Sequence, residues 1–129
     1  MDFYLDRSSG TPTYLQLVQQ VRQALRVGAL VPGDKLPTAA EVVERLGINP
    51  NTVLKAYREL EREGLVAPQP GQGTFVRQGL GSAPATAYAA LRRELVKAVR
   101  SARAAGLDGD DIEAVFASVL HESTARGVA

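Results

Sequence analysis

The sequence predicts an α+β fold in which three helices and a β-hairpin form an N-terminal domain and two further helices form a short tail. Three observations predict this fold. Two helices, starting after Thr38 and Asn49, are separated by only a short glycine-containing turn, and a glycine-rich hairpin follows them directly. A segment of small residues, 79–84, then precedes two further segments with helical apolar spacing. We therefore predict two domains, residues 1–78 and residues 79–129.

The composition is that of an ordinary globular protein without cysteine: 45% of its 129 residues are hydrophobic, and its net charge is only +1. The absence of cysteine rules out disulfides, a thiol nucleophile and cysteine metal ligands. The sequence contains no signal-like segment and no apolar run long enough to cross a membrane, so we expect a cytoplasmic protein without a membrane partner. Because so small a net charge attracts nucleic acid weakly, a nucleic-acid site must draw on local clusters of basic residues.

The N-terminal segment predicts an arm followed by an amphipathic helix. Residues 2–6 alternate between polar and apolar side chains, which indicates an extended arm or an edge strand. Thr11 and Pro12 form a cap-then-proline start, and the helix runs to Gly28. Its core-facing residues recur every three or four positions: Tyr14, Leu17, Val18, Val21 and Leu25.

Local capping signals define the next two helices. Thr38 and Glu41 have the capping-box spacing, in which the hydroxyl and the carboxylate each satisfy a backbone N–H at the helix start. Gly47 suits the end of this short helix, and Asn49 followed by Pro50 suits the start of the next. Together they predict a helix-turn-helix arrangement. An αα-hairpin without a nucleic-acid role has the same spacing and stays an alternative.

The helix that starts at Asn49 has two contrasting faces. At about 100° per residue, three apolar side chains share one sector with Tyr57 on its flank: Val53, Ala56 and Leu60. The other side carries amide and cationic side chains: Asn51, Lys55, Arg58 and Arg62. Asparagine can hydrogen-bond base edges and lysine can bind phosphates or guanine, so this face suits a DNA major groove. A surface helix with solvated charges is the alternative.

A β-hairpin is predicted after this helix. Its strand candidates are residues 65–67 and 74–76, and the glycine-rich tip between them includes Gly71, Gln72 and Gly73. A hairpin directly after a helix-turn-helix is typical of a wing. A phosphate-binding loop is disfavoured, because no third glycine follows at the required spacing and no helix begins after it.

Two apolar stripes predict a helical tail beyond residue 84. Gly106 ends the first tail helix, and Asp108 caps the second. The predicted dimerisation residues on these stripes are Tyr88, Leu91, Leu95, Val99, Ile112, Val115, Phe116, Val119 and Leu120. Two helices of this length cannot close a core of their own, so we expect these faces to be buried against a second copy of the chain. Docking of both stripes onto the N-terminal domain of the same chain is the alternative.

No catalytic, metal or cofactor site is predicted. His121 is the only histidine, so one chain cannot build a histidine-rich metal site. The cluster of Asp108, Asp110 and Asp111 is explained by helix capping, because the glycine and glutamate of a calcium loop are missing at its spacing. We therefore predict a protein that is not an enzyme and has no cofactor.

Four segments follow one another along the N-terminal domain: Pro32-Gly33-Asp34-Lys35-Leu36-Pro37, Asn49-Pro50-Asn51-Thr52-Val53, Glu63-Gly64-Leu65-Val66 and Gly73-Thr74-Phe75-Val76. In this order and spacing they resemble the GntR family of bacterial transcriptional regulators. Tyr14-Leu15-Gln16, Lys55-Ala56-Tyr57-Arg58 and the short tail are similar to its YtrA-type subfamily. The resemblance implies a winged helix-turn-helix domain that binds DNA, a dimerising pair of C-terminal helices, and repression of an operon that often includes an ABC transporter.

The resemblance also implies roles by position. Thr38 matches a phosphate-binding Ser or Thr, and Lys55 matches a basic residue that faces the groove. With the start of the recognition helix and the wing tip, the predicted DNA-binding residues are Thr38, Asn49, Asn51, Thr52, Lys55, Arg58, Gly71, Gln72 and Gly73.

Three positions depart from the family pattern. Ala40 replaces an Arg that contacts DNA, Pro50 stands where many members outside the subfamily have Arg, and Leu54 is apolar where the family is frequently basic. The departures imply weaker phosphate attraction or a different base preference, and Leu54 suits contact with a thymine methyl group.

The predicted function is a sequence-specific DNA-binding transcriptional regulator, expected to be a repressor, that binds a pseudo-palindromic operator as a homodimer. Its partners are then double-stranded operator DNA and a second copy of the chain, with a small-molecule effector of unknown identity as a further candidate. The alternative is a winged-helix interaction module without strong DNA affinity, which the near-neutral charge and Ala40 favour. Salt distinguishes the two, because operator binding weakens with ionic strength as phosphates are neutralised.

Overall fold

The computed structural model describes residues 1–125, and its contacts divide the chain into two compact units, Met1–Ala85 and Thr86–Ala129. The elements of the described part, in chain order, are α1 (Thr13–Val27), α2 (Ala39–Leu46), α3 (Pro50–Arg62), β1 (Val66–Gln69), β2 (Gly73–Val76), α4 (Ala85–Ala104) and α5 (Gly109–Ala125).

The first unit is built around α3, which packs against α1, α2 and β1. Apolar side chains spaced three and four residues apart on the helices point into one shared core, as their helical period requires. Fifteen side chains are buried there: Phe3, Leu17, Val18, Val21, Leu25, Leu30, Leu36, Val42, Val53, Ala56, Tyr57, Leu60, Leu65, Val66 and Val76.

The start of α1 differs from the prediction. Pro12 is the N-cap and Thr13 the first helical residue, and no side chain caps this end, so Thr11 is not the cap. The Thr11 backbone is used elsewhere: its N–H donates to the Ser9 hydroxyl at 3.0 Å, and its carbonyl accepts from the Gln16 amide at 3.0 Å. The predicted end is confirmed, since Gly28 is the C-cap with φ 79°.

Residues 2–6 form an arm and not an edge strand. The Tyr4 N–H donates to the Gln20 side-chain oxygen at 3.1 Å, and the Gln20 amide donates to the Tyr4 carbonyl at 2.8 Å. A side-chain amide on α1 thus satisfies the backbone groups that a neighbouring strand would have satisfied. Asp2 pairs with Arg45 of α2 at 2.6 Å, which ties the arm to a second helix.

The hairpin is antiparallel, with Val66 opposite Val76 and Gln69 opposite Gly73. β1 begins one residue later than the predicted strand and continues further, so only residues 70–72 connect the strands. The sequence predicted that Gly73 belongs to the tip of the hairpin. In the structure it is instead the first residue of β2.

The second unit contains α4 and α5. Asp108 and Asp111 exchange backbone-to-carboxylate hydrogen bonds of 3.0 and 2.9 Å, which confirms that Asp108 caps α5. No described residue of either helix is buried in the single chain, and burial of these faces against a second copy stays a prediction. Five of the predicted dimerisation residues are exposed, namely Leu91, Val115, Phe116, Val119 and Leu120. The others are half-buried, namely Tyr88, Leu95, Val99 and Ile112.

Within residues 1–125, no helix is long enough and apolar enough to cross a membrane.

Candidate nucleic-acid interface

The start of α2 confirms the predicted capping box. The Thr38 hydroxyl oxygen accepts from the Glu41 N–H at 3.1 Å, and the Glu41 carboxylate accepts from the Thr38 hydroxyl at 3.1 Å and from its N–H at 3.5 Å. The hydroxyl proton of Thr38 is therefore already engaged. A DNA phosphate that bound Thr38 would replace the Glu41 carboxylate as the acceptor of that proton.

The turn and the start of α3 also follow the prediction. Gly47 ends α2 in the left-handed conformation, with φ 65°, which glycine adopts without a steric penalty. Asn49 caps α3 through its side-chain oxygen, which accepts from the Asn51 N–H at 2.8 Å, and Pro50 occupies the first helical position. The side chains of Asn51 and Thr52, exposed and half-buried respectively, lie in the first turn.

The buried face of α3 fixes the helix in the domain. Val53, Ala56 and Leu60 are completely buried, as predicted. Tyr57 is 8% exposed, and its hydroxyl donates to the Pro37 carbonyl at 2.5 Å, which joins α3 to the segment before α2. Burial, with a smaller contribution from the Glu41 charge, raises the pKa of Tyr57 well above its usual value, so this hydroxyl stays a neutral donor.

Lys55, on the exposed side of α3, lies over an aromatic ring of α1. Its ammonium group is 4.0 Å from the centroid of the Tyr14 ring, and a cation–π contact of this kind contributes about 0.5–1 kcal/mol at an exposed site. Tyr14 is half-buried and packs against the core. The ring therefore favours one position of the Lys55 charge, at the junction of α1 and α3.

The two arginines of this helix differ in their partners. Arg62 pairs with Glu59 one turn earlier, with a 3.0 Å hydrogen bond from its Nε, and that bond lowers the pKa of Glu59. Arg58 is exposed and forms no ion pair with any residue in the described part of the chain. Arg58 is thus the arginine of α3 whose charge is available to a phosphate.

The connection of the hairpin is short and exposed. The Gln72 N–H donates to the Gln69 carbonyl at 2.9 Å, and Gly71 has φ 75°. Gly73 has φ 128°, and a Cβ at this position would lie 2.6 Å from Cε of Lys35. Lys35 forms an antiparallel bridge with Phe75, so its cationic side chain lies along the wing.

All of the predicted DNA-binding residues belong to the first unit, in three places. Thr38 lies at the start of α2, five residues are the N-cap of α3 or lie within that helix, and three lie in the hairpin. The departures Ala40 and Leu54 are both exposed, so they change the surface of the domain and not its core.

Tyr14 and Lys35 lie beside predicted site residues, but they were not themselves predicted from the sequence. Their positions depend on long-range contacts, Tyr14 with Lys55 and Lys35 with Phe75. The signals present in the sequence were an aromatic residue in the first turn of α1 and a lysine in the turn-rich segment before α2. Within residues 1–125, no group of three or more acidic or histidine side chains is placed to hold a metal ion.

Comparison with known proteins finds its family match in this same part of the chain. Residues 13–76 match the family model described as "Bacterial regulatory proteins, gntR family". The HTH-type transcriptional repressor YtrA of Bacillus subtilis is 45% identical over 74 residues, a match that covers 57% of this chain and 57% of that protein. This chain therefore spans little more than half the length of that relative. The HTH-type transcriptional regulator Rv1152 of Mycobacterium tuberculosis is 40% identical over 107 residues, covering 83% of this chain and 84% of that protein.

Two solved structures are also similar. YtrA from Sulfolobus acidocaldarius, a GntR-family transcription factor, matches with a TM-score of 0.54 and 30% identity, covering 95% of this chain and 99% of that one. AraR(DBD) in complex with operator ORX1 matches with a TM-score of 0.51 and 29% identity, covering 57% of this chain and 92% of that one.

Proposed function

Because the chain belongs to the GntR family of bacterial regulatory proteins, in its YtrA-type subfamily, we propose that it is a sequence-specific transcriptional repressor that binds a pseudo-palindromic operator as a homodimer. The observation that carries this proposal is the division of α3 into two faces. Its apolar side is completely buried, while Asn51, Lys55 and Arg58 project from the exposed side. A helix held in this way presents donors, acceptors and charge to a DNA groove without losing its place in the core.

In the proposed complex, the start of α3 enters the major groove and the hairpin follows the adjacent minor groove. Lys55 and Arg58 bind phosphates, and the connection at Gly71 and Gln72 approaches the DNA closely because glycine has no side chain to obstruct it. Thr38 binds a phosphate at the start of α2, where the helix dipole also favours an anion. AraR(DBD), which shares this fold, was solved in complex with its operator, and this supports the proposed mode of binding.

The tail provides the dimer in this proposal. Its apolar residues are not buried in the single chain, and contiguous exposed apolar surface marks an interaction site. A two-fold dimer pairs the same surface of both copies and presents two recognition helices related by the same symmetry. The operator is then an inverted repeat whose half-sites are about 34 Å apart, or a multiple of that distance.

The controlled genes and the signal are the finer part of the proposal. The resemblance to the YtrA type makes an operon containing an ABC transporter a candidate target. A small-molecule effector is a further candidate partner, and a cytoplasmic location follows from binding to the chromosome.

A second candidate function is an interaction module that kept the fold and lost strong DNA affinity. Three observations favour it. Ala40 provides no charge on the exposed side of α2, and the Glu41 carboxylate occupies the Thr38 hydroxyl that a phosphate would bind. The net charge of +1 adds little attraction for DNA.

Selection of bound fragments from the source genome by the purified full chain, at two salt concentrations, tests the proposal. We expect an inverted repeat whose recovery falls steeply at the higher salt, because each neutralised phosphate contributes about 0.9 to the slope of log affinity against log salt. Enrichment of no fragment, or of fragments regardless of salt, would favour the interaction module.

A further inference from the structure

The two asparagines at the start of α3 are in different hydrogen-bonding states. The side-chain oxygen of Asn49 accepts from the Asn51 backbone N–H at 2.8 Å, so this carboxamide is folded back onto its own helix. The carboxamide of Asn51 is exposed and forms no hydrogen bond with another described residue. The Asn49 carboxamide therefore caps the helix, and the Asn51 carboxamide is available to bind a ligand.

We propose that Asn51 reads an adenine in each operator half-site, and that Asn49 holds the start of the recognition helix and reads no base. This inference rests on the proposed function, because it assumes that α3 enters the major groove. Adenine presents an acceptor, N7, beside a donor, the N6 amino group. Only a side chain with a donor and an acceptor next to each other can satisfy both, and asparagine and glutamine are the residues that do so.

The cap holds Asn49 away from that paired contact, because one lone pair of its oxygen accepts from the backbone of its own helix. Its oxygen is fixed by the 2.8 Å bond, and the bond also fixes the direction of its amino group. The amino group keeps its two donor hydrogens, so Asn49 can donate to a phosphate oxygen. Rotating the carboxamide toward a base would remove the cap, which costs about 1 kcal/mol.

The neighbours of Asn51 point to the same base pair type. Pro50 and Leu54 carry no charge, so neither supplies the bidentate cationic contact that guanine accepts from arginine or lysine. Lys55, one turn after Asn51, is cationic, and its charge is assigned above to a phosphate. Leu54 lies three residues after Asn51, on the same side of the helix, and is 38% exposed. This arrangement suits an A·T-rich site, in which Asn51 hydrogen-bonds an adenine and Leu54 contacts the methyl group of a thymine.

The test is a selection from a random duplex pool with three proteins: the full wild-type chain, Asn51→Ala and Asn49→Ser. The Asn51 variant keeps the cap because the cap uses the backbone N–H of this residue, and the Asn49 variant keeps an oxygen acceptor at the cap position. Wild type should require adenine at one position of each half-site. Asn51→Ala should lose that requirement, worth about 5- to 150-fold in relative affinity, with preferences elsewhere unchanged.

Asn49→Ser should bind all sequences more weakly but keep the same order of base preferences, because its amino group is lost as a donor to phosphate. If Asn51→Ala kept the adenine preference, or if Asn49→Ser lost a base preference while its melting temperature was unchanged, the assignment would be overturned. Failure of the proposed function is a distinguishable result: wild type itself would then enrich no salt-sensitive sequence, and no base would be read by either asparagine.

Discussion

The two units of this chain differ in the burial of their apolar residues. The first unit buries fifteen side chains in one core, whereas no described residue of α4 or α5 is buried. Both units contain helices with apolar side chains at helical spacing, so periodicity alone does not determine what becomes a core. The first unit has a third helix and a hairpin to cover its apolar faces, and a pair of helices has too few surfaces to cover its own. The first unit thus buries its apolar residues within one chain, and the exposed apolar residues of the second unit are the basis of the proposal that a second copy of the chain covers them.

The largest expected effect comes from placing a charge in the core of the first unit. Val53→Asp buries an unpaired carboxylate at a position with 0% exposure, which costs several kcal/mol and therefore much of the stability of a small domain. Leu54→Asp is the matched control, one residue along the same helix and 38% exposed. Thermal unfolding followed by circular dichroism should show the loss of the folded state for Val53→Asp only. Equal melting temperatures for Val53→Asp and wild type would show that this face is not the core face.

Replacing an apolar residue of the second unit by aspartate should leave the chain folded and weaken the association of two copies. Phe116 is 44% exposed in the single chain, and burial of a phenylalanine against a second copy contributes about 1.5–3 kcal/mol for each protomer. Phe116→Asp should therefore weaken the dimer at least tenfold, as measured by sedimentation at a series of concentrations. Ser118→Asp, on the same helix and also exposed, should leave the dimer intact. Dissociation by both variants, or by neither, would contradict the proposed dimer surface.

A smaller effect is expected from one partly buried hydrogen bond of the first unit. Tyr57→Phe keeps the ring in the core and leaves the Pro37 carbonyl without its 2.5 Å donor, so we expect a loss of about 1–2 kcal/mol in the free energy of unfolding. Denaturant titration measures this loss. The substitution should not affect dimerisation through the tail. A change in the sedimentation of Tyr57→Phe at low denaturant would therefore contradict the assignment of dimerisation to the tail alone.

The smallest effect is expected where the first unit meets DNA. Lys55→Ala should lower operator affinity and reduce the slope of log affinity against log salt by about one, without changing the melting temperature by more than the contact with Tyr14 contributes. Tyr14→Phe keeps the ring under the ammonium group and should bind as wild type does, whereas Tyr14→Leu should bind more weakly. Fluorescence anisotropy with a labelled duplex makes both comparisons. If Lys55→Ala left the salt slope unchanged, this lysine would not be a phosphate contact.

Elements that begin or end with local chemistry could be predicted from the sequence. The capping box of Thr38 and Glu41, the turn at Gly47 and the start of α3 at Asn49 each depend on residues within four positions of one another. Their hydrogen bonds are decided by neighbours along the chain, so the sequence pattern and the structure agree.

Elements that depend on distant residues could not be predicted in the same way. Gln20 of α1 satisfies the backbone of Tyr4, which removes the need for a strand partner. The use of the Thr11 backbone by Ser9 and Gln16 moves the start of α1. The position of Lys55 over Tyr14 depends on how α1 and α3 pack, and a helical wheel of α3 contains no information about α1.

We propose that the first unit binds a DNA half-site and that the second unit joins two copies of the chain. The most direct measurement is a titration of the full chain against two duplexes, one with the selected inverted repeat and one with a single half-site, at low and at high salt. We predict tighter binding to the inverted repeat and a steep loss of affinity with salt on both duplexes. Equal affinity for the two duplexes would contradict the paired arrangement, and affinity independent of salt would contradict DNA binding by the exposed face of α3.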